Sequence, residues 1–230
     1  MKGSQIIRAQ DWRSALRELV LIVAGVSIAL AAGAWYDERR ERGDERKILQ
    51  LLAVALAVDQ EELTAGYETE HEVTREVQAI LDHLESDAPF STDLPLDFGA
   101  VRRWVGVRAN TAPYEALKSR GFDLISNDSL RLRLIYYYEN QFPIVYEAYL
   151  NDRQFVTDEV SPYFHEHFYS PDRSTSQLPL DYEQLRADPF FANLLITKLV
   201  RLEGRLLPYY EAALGMIDEL LGMIEAELNR

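Results

Sequence analysis

The sequence predicts an all-α protein in which an N-terminal transmembrane helix continues into a helical bundle. Three observations carry this. One run near the start is long and apolar enough to cross a bilayer. Beyond it, apolar residues recur at spacings of three and four. No segment shows the strict alternation of a half-buried strand.

The apolar run is Leu19–Tyr36, LVLIVAGVSIALAAGAWY, with 18 consecutive uncharged residues between Glu18 and Asp37. As a helix it is about 27 Å long, against a hydrocarbon core of roughly 30 Å. Trp12 precedes it, and Trp35 with Tyr36 closes it. Such amphipathic rings sit well at the headgroup level of the two interfaces. The run therefore reads as a single membrane anchor. Two other readings use the same residues. Ala32-Gly33-Ala34 has the small-x-small form of a signal-peptide cleavage site, although Asp11 and Glu18 make an untidy leader. A buried core helix would normally carry a polar stripe, and this run has only Ser27. Within the run, Gly25, Ala29 and Gly33 fall at i, i+4 and i+8 and form a ridge of small residues on one face. Such a ridge lets two helix backbones approach closely in lipid, which makes this face a candidate for a homo-oligomer; the plainer reading is that Ala and Gly are simply common in membrane helices.

The bases on the two sides of the run are nearly balanced. Lys2, Arg8, Arg13 and Arg17 lie before it, and Arg39, Arg40, Arg42, Arg46 and Lys47 after it. Counting bases alone scarcely separates the orientations. The reading leans to the N-terminus inside and the bulk of the chain outside the cytoplasm.

The segments run in order as a tail (1–18), the transmembrane helix (19–36), a charged then amphipathic helix (37–86) and a bundle (100–229). Asp37–Lys47, DERRERGDERK, continues the anchor helix into water, with Glu38 placed to pair with Arg42 and Asp44 with Lys47. From there Ile48, Leu52, Ala55, Leu56, Leu63, Tyr67, Val73, Val77, Ile80 and Leu84 form one apolar stripe, and Glu61, Glu68, Glu72 and Glu76 face away from it. The pattern permits one unbroken helix from the membrane to about Glu85. Residues 87–99, DAPFSTDLPLDFG, read as a loop.

Thr111 is placed to cap a short helix that Gly121 terminates. Asn127 is placed to cap the next, whose apolar side is Leu130, Leu134, Tyr137 and Tyr138. Pro143 is expected to kink this helix or divide it from one carrying Val145, Tyr149 and Val156. Ser170–Pro179 reads as a second loop. Asp188-Pro189 opens the last long segment, whose stripe runs through Leu195, Leu199, Leu202, Leu206, Ala213, Ile217, Leu220, Leu221 and Ile224. Pro208 is expected to kink it.

Two stretches carry a resemblance. The first is ELVLIVAGVSIALAAGAWYDERRERGDERKILQLLAVALAVD, Glu18–Asp59; the second is YEALKSRGFDLISNDSLRLRLIYYY, Tyr114–Tyr138. Together they resemble an uncharacterised family of bacterial membrane proteins with an N-terminal anchor, an acidic helix and a later helix pair. The anchor pattern matches at Glu18, Leu21, Ile22, Val23, Gly25, Ile28, Ala29, Leu30, Trp35 and Glu38. Gly33-Ala34 replaces the more usual polar residues before the Trp. The resemblance implies a retained anchor in a bacterial inner membrane. It brings no activity and so no catalytic residues.

Composition narrows the chemistry. The chain has 38 Asp and Glu against 24 Lys and Arg, a net charge of −14. The imbalance lies beyond residue 50, where the net charge is −16 against +2 before it. Such a surface argues against nucleic-acid binding, which needs bases to neutralise phosphates. With no Cys, disulfides, thiol nucleophiles and Cys-held metals are excluded. There is no G-x-S-x-G and no glycine-rich phosphate loop. His165-Glu166-His167 would diverge on a helix, and Glu68-Thr69-Glu70-His71 supplies one Glu-x-x-His where a di-iron bundle needs two. No catalytic, cofactor or metal residue is assigned. The expected partners are the bilayer and a second copy of the chain, and the expected role is interaction, scaffold or sensing. A membrane-tethered enzyme or ligand-binding domain with a carboxylate/His metal site is the alternative. The basic stretch Arg102–Arg133 is expected to dock on the acidic helix 59–85, and the dense Tyr and Phe clusters to form core or an apolar ligand pocket.

Overall fold

A computed structural model describes residues 9–86, 88–171 and 177–230, and these are overwhelmingly helical. The paired strands among them are two-residue stubs, Phe168–Tyr169 (β1) and Leu178–Pro179 (β2), joined antiparallel across the expected second loop. Lys2, Arg8 and the centre of that loop lie outside the described residues.

The first helix, α1, runs unbroken from Ala9 to Glu85. The chain forms two compact units, Met1–Lys47 and Ile48–Arg230, and α1 contributes to both. The boundary falls inside the segment read as 37–86, because burial begins at Ile48 and Leu49. In the first unit the two expected surface pairs form, Arg42 to Glu38 at 2.5 Å and Lys47 to Asp44 at 3.8 Å. They are exposed and contribute little.

In the second unit, α1 and the later elements share one hydrophobic core. The α1 stripe enters it as the periodicity requires, with Leu52, Leu56, Leu63, Val73 and Val77 fully buried. After α1 come a 3-10 turn at Phe98–Arg102, helix α2 (Ala112–Arg120), a 3-10 turn at Phe122–Leu124, and helices α3 (Asp128–Tyr136), α4 (Phe142–Phe155), α5 (Ser161–His167), α6 (Tyr182–Ala187), α7 (Pro189–Arg201) and α8 (Leu207–Leu228). Helix α8 packs on α3 and α4. Gly66 of α1 lets Tyr210 of α8 approach: a Cβ there would lie 2.9 Å from the buried tyrosine hydroxyl.

The later helices accommodate their prolines by widening the turn before each one. Pro143, Pro162 and Pro208 each come just after a five-residue π-helical turn: Tyr137–Gln141, Val156–Val160 and Leu202–Leu206. In each case the residue before the proline donates its N–H five residues back: Phe142 to Tyr137, Ser161 to Val156, Leu207 to Leu202. A proline in a regular α-helix lacks a donor and drives its ring against the carbonyl four residues back. The wide turn shifts that carbonyl out of the ring's way, so the helical path continues.

Among the caps, Asn127 accepts from the N–H groups of Ser129 and Leu130, and Asp188 from Phe190. Gly121 ends α2 with φ +105°, a region closed to most side chains. Thr111 occupies the N-cap position of α2, but its side chain makes no capping bond. Its ψ of −9° is already close to helical, whereas a capping hydroxyl needs extended backbone.

Candidate functional site

Two features stand out, one in each unit. In the first, α1 presents an apolar window of membrane-spanning length, and none of it is covered by protein. Leu21, Ile28 and Leu30 are each about 70% exposed. A core helix of a soluble fold would be covered, so that reading of Leu19–Tyr36 does not fit. Trp12, Trp35 and Tyr36 are exposed on the same helix. At about 1.5 Å per residue, Trp12 and Trp35 are some 35 Å apart along the axis, a separation that suits two rings at the edges of a roughly 30 Å core. The Arg39 guanidinium lies 4.1 Å from the centre of the Trp35 ring, a cation–π contact at the charged end of the span. Space is open beside Gly25 and Gly33, and Ala29 between them is exposed.

In the second unit, four charged side chains are inside the protein. Asp59 and Glu70 of α1 are each 1% exposed, Asp152 of α4 2%, and Lys198 of α7 0%. Lys198 Nζ donates to Asp152 Oδ2 at 2.6 Å and to the Arg103 carbonyl at 2.8 Å. Glu70 Oε1 accepts from the Val105 N–H at 3.1 Å, and Asp59 Oδ1 from the Asn110 N–H at 2.7 Å. The bonds to backbone have one recipient, the non-helical segment between the 3-10 turn ending at Arg102 and helix α2. Irregular backbone packed against a helical core has no ladder of its own, so side chains must satisfy its inward polar groups. Buried charged residues meet that need here.

The second oxygens of all three carboxylates, Asp59 Oδ2, Glu70 Oε2 and Asp152 Oδ1, are buried without a partner, as are the hydroxyls of Tyr137, Tyr138 and Tyr210. Burial pushes the Glu70 carboxyl up to about 7, aided by Asp152 and opposed by Lys198, Val105 N–H and Arg103. Burial likewise pushes Asp59 up to about 6, against the pull of the Asn110 bond. Both act as groups that hold a proton well above the ordinary carboxylate range.

The other sequence candidates fall into place around these two features. Of the basic stretch Arg102–Arg133, Arg103 alone among the described residues pairs with α1, through Glu76 at 2.9 Å, and it also reaches Asp97. Lys118 turns to Glu139 and Arg133 to Glu219. Among the described residues, the other polar contacts between this stretch and the acidic helix are the backbone N–H bonds of Val105 and Asn110, and the two also share the hydrophobic core. His165 and His167 lie on α5, His167 stacks on Tyr163, and His71 meets the Tyr67 hydroxyl at 3.2 Å. Among the described residues no three His, Asp or Glu side chains are grouped to hold a metal ion. Most of the clustered rings are core, where Phe164 stacks on Phe168 at 4.1 Å and Tyr114 on Tyr138 at 4.4 Å, whereas Tyr136 and Tyr169 are exposed.

Sequence reasoning missed the four buried charges, although a signal was present. Asp59 is at i+7 from Leu52 and i−4 from Leu63. Glu70 is at i+7 from Leu63 and i−3 from Val73. Asp152 is three from Tyr149, and Lys198 three from Leu195. Each sits within an apolar stripe, where a charge must find a partner. Compared with known protein families, curated proteins and solved structures, the chain matches none.

Proposed function

We propose that this chain is a single-pass membrane protein whose helical domain serves in interaction, scaffolding or sensing. The observation that carries the reading is the uncovered span. At about 25 cal/mol per Å² of apolar area, an 18-residue apolar helix left in water would be strongly unfavourable, and lipid is the solvent that removes this cost. The resemblance of Glu18–Asp59 and Tyr114–Tyr138 to a bacterial membrane family supports a retained anchor in an inner membrane; the domain is placed outside the cytoplasm as a separate part of the proposal, on nearly balanced flanking bases. Fractionation with a dual topology reporter fused after Arg230 tests this. The expected result is full-length protein that stays with membranes through alkaline extraction and reports the non-cytoplasmic side. Release into the soluble fraction, or a chain shortened after Ala34, sinks the anchor.

The same helix supplies the proposed self-contact. Gly25, Ala29 and Gly33 would allow two copies to pack backbone to backbone, where dispersion replaces the hydrophobic effect. In a transmembrane association reporter, Gly25→Leu/Gly33→Leu is expected to lower the wild-type signal about threefold or more while insertion is unchanged. An equal signal from both would dismiss this face as the contact.

A further inference from the structure

We propose that the segment from Arg103 to Asn110 is a latch, closed over the buried Glu70 while that side chain holds a proton and released when the proton leaves.

The way this segment is held sets it apart. It has no helical bonds, and among the described residues no backbone–backbone bond ties residues 104–110 to any other part of the chain. Its polar attachment is through Glu70, Lys198 and Asp59. Its one buried side chain is Val107, and its one large ring, Trp104, is partly exposed against Tyr149 with Arg153 beside it. The two flanks are held differently. Phe98, Ala100 and Val101 pin one side in the core, and Tyr114 and Leu117 pin the other. The segment can therefore lift without unravelling a helix or losing its anchors.

Charge makes the attachment conditional. Facing Glu70 are Asp152 from α4, Lys198 from α7, Tyr210 from α8, with Tyr149 of α4 beside that tyrosine, and Arg103 from the segment itself. Lys198 is committed to Asp152 at 2.6 Å, and Arg103 to Glu76 and Asp97 at the rim. Two buried carboxylates thus share one buried ammonium. With Glu70 protonated the group is balanced: Oε1 still accepts from Val105 N–H, and Oε2 becomes a donor. With Glu70 ionised, a second buried anion faces Asp152; Lys198, Arg103 and the Val105 N–H offset part of the cost, and water reaching the site as the segment lifts relieves the rest. Burial is the largest influence on the Glu70 proton and outweighs the favourable Val105 bond and Lys198. Asp59, with Glu62 nearby on α1 and the Tyr137 and Tyr138 rings opposite, holds the far end with the same sense of titration.

Hydrogen–deuterium exchange on the full chain in mild detergent, corrected for the intrinsic pH dependence of amide exchange, tests the latch. Between pH 6 and pH 8.5 the peptide covering 103–111 is expected to lose about tenfold in protection. Peptides containing Phe98–Val101 and Tyr114–Leu117 are expected to keep theirs. Glu70→Gln, which preserves the acceptor for Val105 N–H, is expected to keep the segment protected across the range. Because the chain has no Cys, Val107→Cys gives a second readout in the Glu70 background: its labelling at pH 8.5 should fall about tenfold when Glu70→Gln is added. A segment whose corrected protection does not change with pH overturns the proposal. So does a loss shared equally by the flanking peptides, or a Glu70→Gln chain that opens like wild type. None of these outcomes depends on whether α1 enters a bilayer.

Discussion

Lys198→Met is expected to lower the stability of the helical domain by about 3–5 kcal/mol. The ammonium is fully buried, 2.6 Å from Asp152 and bonded to the Arg103 carbonyl. Methionine matches much of its volume, so the loss is electrostatic more than steric. Removing the cation leaves Asp152 buried as an unpaired anion, with Glu70 near it, and leaves a backbone carbonyl without its donor. At roughly 2–4 °C per kcal/mol for a domain of this size, the helical melt of the full chain should fall by about 10 °C. The partner of this experiment is Lys198→Met/Asp152→Leu. Replacing both members of a buried pair is often neutral, whereas removing one is costly. The double variant should recover about half or more of the loss. A single variant that melts within a degree or so of wild type would show that the buried pair does not support the domain.

Stability should also fall as the solution becomes more alkaline, the reverse of the usual carboxylate effect. Glu70 titrates at about 7 in the folded protein against an ordinary 4.5. The folded state therefore binds this proton more tightly than the unfolded chain does. Below pH 4.5 both states hold it and no cost arises. Between pH 4.5 and about 7 the unfolded chain ionises first and gains an advantage. Above that the difference is constant at about 3 kcal/mol, from 1.36 kcal/mol per pH unit. Asp59 acts in the same direction between its ordinary 3.8 and about 6. Denaturation of wild type and Glu70→Gln at pH 5 and pH 8 separates the two. The variant should be close to wild type at pH 5 and more stable by a few kcal/mol at pH 8. Equal pH slopes for the two proteins would remove Glu70 as the titrating group.

How much of this was legible differs from element to element. The length of α1 was written in its unbroken stripe and in the lack of any proline before residue 88. Asn127 and Asp188 cap where their spacing placed them, because an N-cap is a local arrangement of two or three residues. Thr111 has the right side chain in the wrong backbone, and that backbone angle depends on how the segment before α2 is held in the fold. Pro143 and Pro208 were read by the rule for regular helices, and the chain answers that rule by widening one turn. Nothing in the residues of those turns marks the change.

The acids of α1 show most clearly where sequence and tertiary structure part. Sequence alone determined an all-α chain, an apolar span bounded by aromatic rings, one acidic helix with a buried stripe, and the absence of thiol chemistry. These come from composition and from a period of 3.6 residues, which are properties of the chain itself. Glu68, Glu70 and Glu72 are alike in sequence, yet only Glu70 is buried. That choice waits for a donor 35 residues away, the Val105 N–H, and for an ammonium that arrives on α7. Asp59 waits in the same way for the Asn110 N–H, 51 residues on. A carboxylate is tolerated in a core only where such partners converge, and their convergence is a product of the fold.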